Sequence, residues 1–172
     1  MATLVPMRDE VDELTEAWAR ERPDLDLAPV EVFSRISRLG RHLDLARREA
    51  FTAGQVESWE FDVLAALRRA GAPYELSPGR LLRETLVTSG TMTNRIDRLS
   101  ARGLVERYPD PDDRRGVIVR LTSEGRSAVD GAFTALLDAE QSLLDHLPER
   151  DRTRLASLLR TLLAPFHASE TS

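Results

Sequence analysis

The sequence contains no cysteine and no long apolar run, and each absence excludes a class of protein or of site. Without cysteine there is no disulfide, no thiolate metal site and no cysteine-based redox sensing. No apolar segment approaches the ~18 residues that a transmembrane helix needs. The first residues, MATLVPMRDEVDEL, lack the basic and apolar regions of a signal peptide. We therefore expect a cytoplasmic protein with no membrane partner.

The motifs of common catalytic and cofactor sites are also missing. The chain has no P-loop, no G-x-G-x-x-G, no G-x-S-x-G and no H-E-x-x-H. Its three histidines, His42, His146 and His167, are scattered along the chain. We expect no catalytic residues, no metal and no cofactor, and therefore a protein that is not an enzyme.

Charge is distributed unevenly along the chain. Between Ser77 and Leu121 there are nine arginines and six acidic residues, a net charge of +3. The whole chain of 172 residues carries −5, so the rest of it carries −8. Overall charge says little about a fold, but this asymmetry predicts a cationic working surface on an acidic body.

Apolar residues recur at helical spacing along most of the chain. The pattern predicts a short acidic helix over 7–21 and a long amphipathic helix over 29–50. A third helix carries Trp59 among its apolar residues. Two further helices, rich in leucine, begin near Thr122 and Pro148. The sequence therefore predicts a mainly helical protein.

A pair of short helices is predicted in the middle of the chain. The Ser-Pro pair at 77–78 is typical of a helix start, because a hydroxyl caps the helix and proline suits its first position. The Thr-Ser-Gly segment at 88–90 predicts a tight turn, in which Ser89 can cap a second helix that runs to Ala101.

Two strands and a basic tip follow the second helix. Short strands are predicted over 104–108 and 116–121, the second of which shows alternating apolar residues. The segment PDPDDRR between them is rich in turn formers. This order of elements is the winged helix-turn-helix arrangement, whose second helix enters the major groove while the hairpin tip reaches phosphates or the minor groove. A polar helix face or a basic tip alone is more often plain solvated surface, but the two in this order favour DNA binding.

The rotation of the second helix can be worked out from the sequence. At ~100° per residue, Met92, Ile96 and Leu99 fall in one sector and are predicted to face the core. Asn94 points away from the core, where it can read base edges. Arg95 lies only ~65° from the core direction and is expected to point toward the protein body. The predicted DNA-binding side chains of the two helices and the tip are Ser77, Ser89, Thr91, Thr93, Asn94, Arg98, Arg114 and Arg115.

The stretch GLVERYPDPDDRRGVIVRLTSEG (103–125) resembles the wing signature of the MarR family of bacterial regulators, and the resemblance covers nearly the whole chain. The matching positions of the Asp-x-Arg and Leu-Thr-x-x-Gly motifs are Asp113, Arg115, Leu121, Thr122 and Gly125. The resemblance implies that Asp113 orients Arg115, which enters the minor groove. It also implies that the terminal helices intertwine into a homodimer, which would bind an inverted-repeat operator in double-stranded DNA.

A narrower resemblance is to the urate-responsive branch of this family, which has an additional N-terminal helix. It implies ligand-binding residues at Trp18, Asp62, Arg95 and Arg107. The segments YELSPGRLL and VTSGTMTNRIDRL are also similar to actinobacterial members that respond to aconitate and citrate. Two arginines near an aromatic ring suit a small anionic ligand, a tricarboxylate or a purine. The alternative is a structural ion-pair network, with Trp18 as a core anchor.

Together these observations predict a mainly α fold (α+β), a winged helix-turn-helix lobe plus a helical dimerisation lobe, with a two- or three-stranded wing. The predicted boundaries are a single domain over 1–172, a DNA-binding lobe over 57–121 (helix-turn-helix 77–102, wing 104–121), and a dimerisation lobe over 7–50 and 122–166. The predicted function is transcriptional regulation, with repression as the commoner mode of the family. A winged helix that contacts only proteins is the main alternative, and a steep dependence of binding on salt would exclude it.

Overall fold

The computed structural model describes residues 8–85, 87–111 and 116–169. Within them the chain is mainly helical with a small three-stranded antiparallel sheet, which confirms the predicted fold class. None of these helices combines the length with the apolar character that crossing a bilayer requires. The elements in chain order are α1 (Glu10–Glu21), α2 (Ala28–Ala53), α3 (Ser58–Arg69), β1 (Glu75–Leu76), α4 (Pro78–Thr85), α5 (Ser89–Ala101), β2 (Val105–Pro109), β3 (Val117–Leu121), α6 (Ser123–Leu144) and α7 (Glu149–Ser169).

The chain divides into two compact units, of which the first ends at Ala46. In this unit α1 begins at a capping box, in which the side chains of Asp9 and Asp12 each accept a bond from the other residue's backbone N–H (3.1 and 2.8 Å). Arg35 of α2 donates to both carboxylates (2.8 and 2.7 Å). The bond from Arg35 lowers the pKa of Asp9 to about 2. The same arginine therefore ties α2 to the start of α1.

The buried side of α1 differs in part from the prediction. Val11 is buried, and Thr15 is buried with it, its hydroxyl donating to the Val11 carbonyl oxygen (2.9 Å). Trp18, which the apolar pattern places on the same side of the helix, is 50% exposed. The apolar side of α1 thus extends beyond the part that is buried in the single chain.

The second unit contains the main hydrophobic core, which α3, α4, α5, α6 and the sheet form together. Leu64 and Leu67 of α3, Leu81 of α4 and Val119 of β3 are completely buried in it. Burial of one such side chain contributes ~1.5–3 kcal/mol. This core holds α4 and α5 in place against α3 and the sheet.

The sheet has the strand order β1-β3-β2, and both pairings are antiparallel. The third strand, β1, has only two residues, and so short a segment has no alternation from which to predict it. The two longer strands each begin one residue later than predicted. Arg120 of β3 joins all three strands, because its Nε donates to Glu75 of β1 (2.7 Å) and its guanidinium lies 4.6 Å from the ring centroid of Tyr108 in β2.

The Leu-Thr-x-x-Gly segment at the start of α6 is explained by a close approach of two backbone segments. The Thr122 hydroxyl accepts from the Gly125 N–H (2.9 Å) and donates to the Gly103 carbonyl oxygen (2.7 Å). A Cβ added at Gly125 would lie 1.9 Å from the Leu104 carbonyl oxygen. Only glycine therefore lets α6 begin against the segment that leads into β2.

Replacing Gly125 with alanine should lower the free energy of unfolding by at least ~2 kcal/mol, because the Leu104 backbone must move. The matched control is Gly131→Ala in the same helix, where an added Cβ meets no neighbouring atom within 4 Å. That substitution should be neutral or stabilising by up to ~1 kcal/mol. Chemical denaturation followed by circular dichroism measures both, and equal effects would contradict the explanation.

Candidate nucleic-acid interface

The second helix of the predicted helix-turn-helix, α5, is oriented by its buried side. Met92, Ile96 and Leu99 are at most 2% exposed, which confirms the predicted core face. Thr91 and Asn94 of the same helix are exposed. Because the buried side is fixed in the core, α5 presents its polar side to solvent in a single orientation.

Both helices of the motif begin at hydroxyl caps, one of which differs from the prediction. The Ser77 hydroxyl accepts from the Arg80 backbone N–H at the start of α4 (3.4 Å). At the start of α5 the cap is Thr88, whose hydroxyl accepts from the Thr91 N–H (3.4 Å). The expectation that Ser89 is the cap was wrong, because Thr88 has the extended backbone that a cap needs whereas Ser89 is already helical.

The predicted DNA-binding side chains of α5 differ in how many hydrogen bonds they already make within the protein. The Thr91 hydroxyl shares a hydrogen bond with the Thr88 hydroxyl (2.9 Å), and the Thr93 hydroxyl donates to the Ser89 carbonyl oxygen (3.2 Å). The Asn94 side chain has no hydrogen-bond partner among the described residues. Asn94 therefore keeps all its donors and acceptors for an external partner, whereas each threonine keeps only part of its capacity.

Arg98 is held against the N-terminal end of α3. Its Nη2 donates to Oε1 of Glu57 (3.0 Å), and its guanidinium lies 4.5 Å from the ring centroid of Trp59. The Trp59 indole N–H donates to the other carboxylate oxygen of Glu57 (2.6 Å). The Arg98 side chain is nevertheless 54% exposed. The sequence predicted that Arg98 faces solvent, but it contained no signal for these partners.

Arg95 points toward the protein body, as its position on the helix predicted. Its guanidinium lies 5.6 Å from the Trp59 ring centroid, and its Nη1 is buried without a hydrogen-bond partner among the described residues. The guanidinium adjoins a groove of about 430 Å³, which Asn94 and Arg98 also line. A buried guanidinium nitrogen without an acceptor is costly, so this groove is a candidate anion site.

Asp62, on α3, lies close enough to Arg95 for their charges to interact. Partial desolvation raises the pKa of Asp62 above its ordinary value, although the charges of Arg95, Arg47 and Arg69 act in the opposite direction. Two of the four residues in the predicted ligand set therefore interact electrostatically.

The other two residues of that set are Arg107 and Trp18. Arg107 of β2 forms an ion pair with Asp97 of α5, beside a separate groove of about 480 Å³. Trp18 belongs to α1 in the first unit and is half exposed. The aromatic ring beside Arg95 is that of Trp59, which the sequence placed among the apolar residues of the third helix. The structure thus groups Arg95 with Trp59 and places Arg107 in a different groove.

An ion pair that no motif in the sequence predicted joins Arg102, the residue that caps the C-terminal end of α5, to a buried carboxylate of α3. Glu60 is 1% exposed and pairs with Arg102, which also donates to the Gln55 carbonyl oxygen (2.8 Å). The Glu60 carboxylate accepts from the Glu57 backbone N–H as well (2.9 Å). A glutamate three residues after the N-cap is common at helix starts, but this spacing carries no signal for the pair with Arg102.

The tip of the predicted wing lies outside the described residues, and with it Asp113, Arg114 and Arg115. At the base of the hairpin the Asp110 N–H donates to the Gly116 carbonyl oxygen (3.0 Å). Strands β2 and β3 are therefore paired from Val105 up to this bond.

Comparison with known proteins assigns the family. A model of the MarR family matches residues 55–116. The HTH-type transcriptional regulator PecS of Dickeya dadantii is 36% identical to the chain over 150 residues, which are 87% of this chain and 90% of PecS. The chain belongs to the MarR family. The HTH-type transcriptional repressor NicR of Pseudomonas putida is 31% identical over 144 residues, 81% of this chain and 89% of NicR.

Solved structures of MarR-family proteins share the fold. A MarR variant from E. coli in complex with operator DNA has a TM-score of 0.66 at 28% identity, covering 80% of this chain and 96% of that one. BpsR of Bordetella bronchiseptica, whose DNA binding 6-hydroxynicotinic acid regulates, has a TM-score of 0.61 at 30% identity, covering 76% and 91%. The chain is therefore a MarR-family winged helix-turn-helix transcriptional regulator, and these relatives are regulators rather than enzymes.

Replacing Arg102 with methionine should lower the free energy of unfolding by ~2–4 kcal/mol, because the buried Glu60 carboxylate loses its charged partner. The control is Arg69→Met, which breaks an ion pair with Glu84 whose side chains are 62% and 39% exposed. That loss should cost less than ~1 kcal/mol. Urea denaturation at neutral pH compares the two variants, and a loss for Arg102 no larger than the control would contradict the importance of the buried pair.

Proposed function

We propose that this protein is a repressor that binds an inverted-repeat operator in double-stranded DNA as a homodimer. The observation that carries the proposal is the exposed side of α5, where Asn94 has no partner among the described residues and Arg98 remains half exposed. Amide and guanidinium groups are the side chains that bind adenine and guanine edges. The operator complex of E. coli MarR and the repressor NicR support the assignment.

The remaining contacts of this proposal are to the DNA backbone and the minor groove. Hydroxyl groups at the N-terminal ends of α4 and α5 are suited to phosphate binding. We assign this role to Ser77, Ser89, Thr91 and Thr93. Arginines at the wing tip suit the negative potential of the minor groove, and we assign this role to Arg114 and Arg115, with Asp113 orienting the second.

Exposed apolar side chains support the homodimer. In the first unit Phe33 of α2 is 58% exposed, and in the second unit Leu137 of α6 and Leu162 and Phe166 of α7 are exposed in the single chain. Monomers rarely leave such apolar surface in contact with water. We propose that a second copy covers it, which implies two half-sites about one helical turn apart. The proposed dimerisation lobe is 7–50 with 122–166, and the proposed DNA-binding lobe is 57–121.

Replacing Asn94 with alanine should weaken binding to the preferred duplex by ~1–3 kcal/mol and relax sequence preference, because the amide reads a base edge. The control, Gln141→Ala, removes an amide from an exposed position on α6 and should leave affinity unchanged. A duplex selected from a random library and a salt series in fluorescence anisotropy provide the measurement. Wild-type binding should weaken log-linearly with salt. Binding that ignores both salt and sequence would exclude the proposal.

A small anionic ligand that modulates operator binding is the second part of the proposal. The Nη1 of Arg95, which has no hydrogen-bond partner among the described residues, and the adjacent ring of Trp59 favour an anion in the groove beside α5. Arginine binds carboxylates in a planar fork and stacks on aromatic rings. Regulation of BpsR by 6-hydroxynicotinic acid supports a ligand of this class. The candidates are a tricarboxylate or a purine.

Replacing Arg95 with alanine should preserve operator binding but abolish release by the effective anion among citrate, aconitate and urate. The reason is that Arg95 supplies the charge on which the anion depends, and its helix carries the DNA contacts. The control, Arg154→Ala, removes the same charge from an exposed position of α7 and should respond like the wild type. If the anion still released the Arg95 variant from operator DNA, the assignment of the ligand to this groove would be wrong.

A further inference from the structure

Three neighbouring residues at the N-terminal end of α3 contact one arginine of α5 and the arginine that caps it. Glu57 pairs with Arg98, Trp59 lies against the guanidinium of Arg98, and Glu60 pairs with Arg102. The two helices are thus joined by charge on this side, in addition to the apolar core.

Arg98 is restrained from two directions. Glu57 accepts a bond from its Nη2, and the Trp59 ring covers one face of its guanidinium. An arginine has five N–H donors in a planar fork, so one bond to Glu57 leaves the other donors available to an external acceptor. With 54% of its side chain exposed, Arg98 is oriented and still accessible.

Glu57 is itself fixed in place. One of its carboxylate oxygens accepts from the Trp59 indole (2.6 Å), and its backbone N–H donates to the buried Glu60 (2.9 Å). Both side chains of the pair between Glu57 and Arg98 are more than half exposed, and such a pair contributes only ~0–1 kcal/mol to stability. The pair therefore acts more on the orientation of Arg98 than on the stability of the fold.

We infer that Glu57 and Trp59 are positioning residues that hold Arg98 for reading a base of the operator. The inference rests on the proposed DNA-binding function. A long arginine side chain loses rotamer entropy when it binds, and a restraint that is already present in the free protein removes part of that cost. Guanine is the base that such a fork recognises, through its O6 and N7.

Neutralising the charge of Glu57 has different effects on DNA binding depending on whether Glu57 positions Arg98 or only repels phosphates. A carboxylate beside the reading helix repels phosphates, so its neutralisation should tighten binding to every duplex alike. Positioning of Arg98 affects the affinity only for duplexes in which Arg98 reads a base. Loss of this positioning therefore lowers the discrimination between the preferred duplex and an unrelated one. Comparing a preferred duplex with an unrelated one therefore distinguishes the two roles.

The experiment uses the full-length protein and a duplex that it selects from a random library, with an unrelated duplex at the same salt concentration. Glu57→Gln should lower the ratio of the two affinities about 3- to 10-fold, without weakening binding to the unrelated duplex. Trp59→Leu should lower the ratio in the same direction. The control is Glu49→Gln, which removes the same charge from an exposed position of α2 and should leave the ratio unchanged. Thermal unfolding checks that each variant is folded.

The Arg98→Ala background identifies the residue through which Glu57 acts. In that background Glu57→Gln should not change the ratio further, and each single variant should relax preference at the same base pair. The positioning role would be wrong if Glu57→Gln left the ratio of the two affinities unchanged. It would also be wrong if Glu57→Gln lowered that ratio equally in the wild type and in the Arg98→Ala background. Either result would leave the DNA-binding function standing. A wild-type protein that discriminates between no duplexes would overturn both. If Trp59→Leu does not fold, the Glu57 variants alone still test the positioning role.

Discussion

The rotation of α5 about its own axis is the constraint on which the rest of the interface depends. Met92, Ile96 and Leu99 are buried in the core of the second unit, so the helix has one way to face. Truncating one large core side chain costs ~2–5 kcal/mol, a large part of the ~5–15 kcal/mol by which a domain is stable. The polar side of α5 therefore cannot turn independently. It follows that Asn94 faces solvent and Arg95 lies at the border of the core.

Arg95 and Arg98 of α5 and Arg102, which caps that helix, lie in different surroundings, although their chemistry is the same. Arg102 pairs with the buried carboxylate of Glu60 and so joins α5 to α3. Arg98 makes an exposed pair and stacks on Trp59, which orients it without enclosing it. Arg95 has a buried nitrogen with no acceptor among the described residues. Burial and partners, rather than residue type, thus distinguish a structural arginine from one suited to DNA and one suited to an anion.

The periodic part of the fold could be predicted, because burial of one helix face imposes a repeat of about 3.6 residues that the sequence displays directly. The core face of α5 is an example. Some features of one or two residues could not be predicted. The cap of α5 is one, since two adjacent hydroxyl residues, Thr88 and Ser89, both suit the role and only the backbone angles select between them. The two-residue strand β1 is another.

The sequence by itself determined the fold class, the order of the central elements and the outward-facing residues of α5, because these depend on local periodicity and turn chemistry. The sequence also shows the glycine at 125, but not why it is needed. The reason is tertiary, because a Cβ at this position would lie 1.9 Å from the Leu104 carbonyl oxygen. The tertiary structure alone decided which charges meet. Glu57 and Arg98 are separated by 41 positions, and Trp59 reaches Arg95 only because α3 and α5 pack together. Such pairings follow from the relative placement of two helices, which no local pattern encodes.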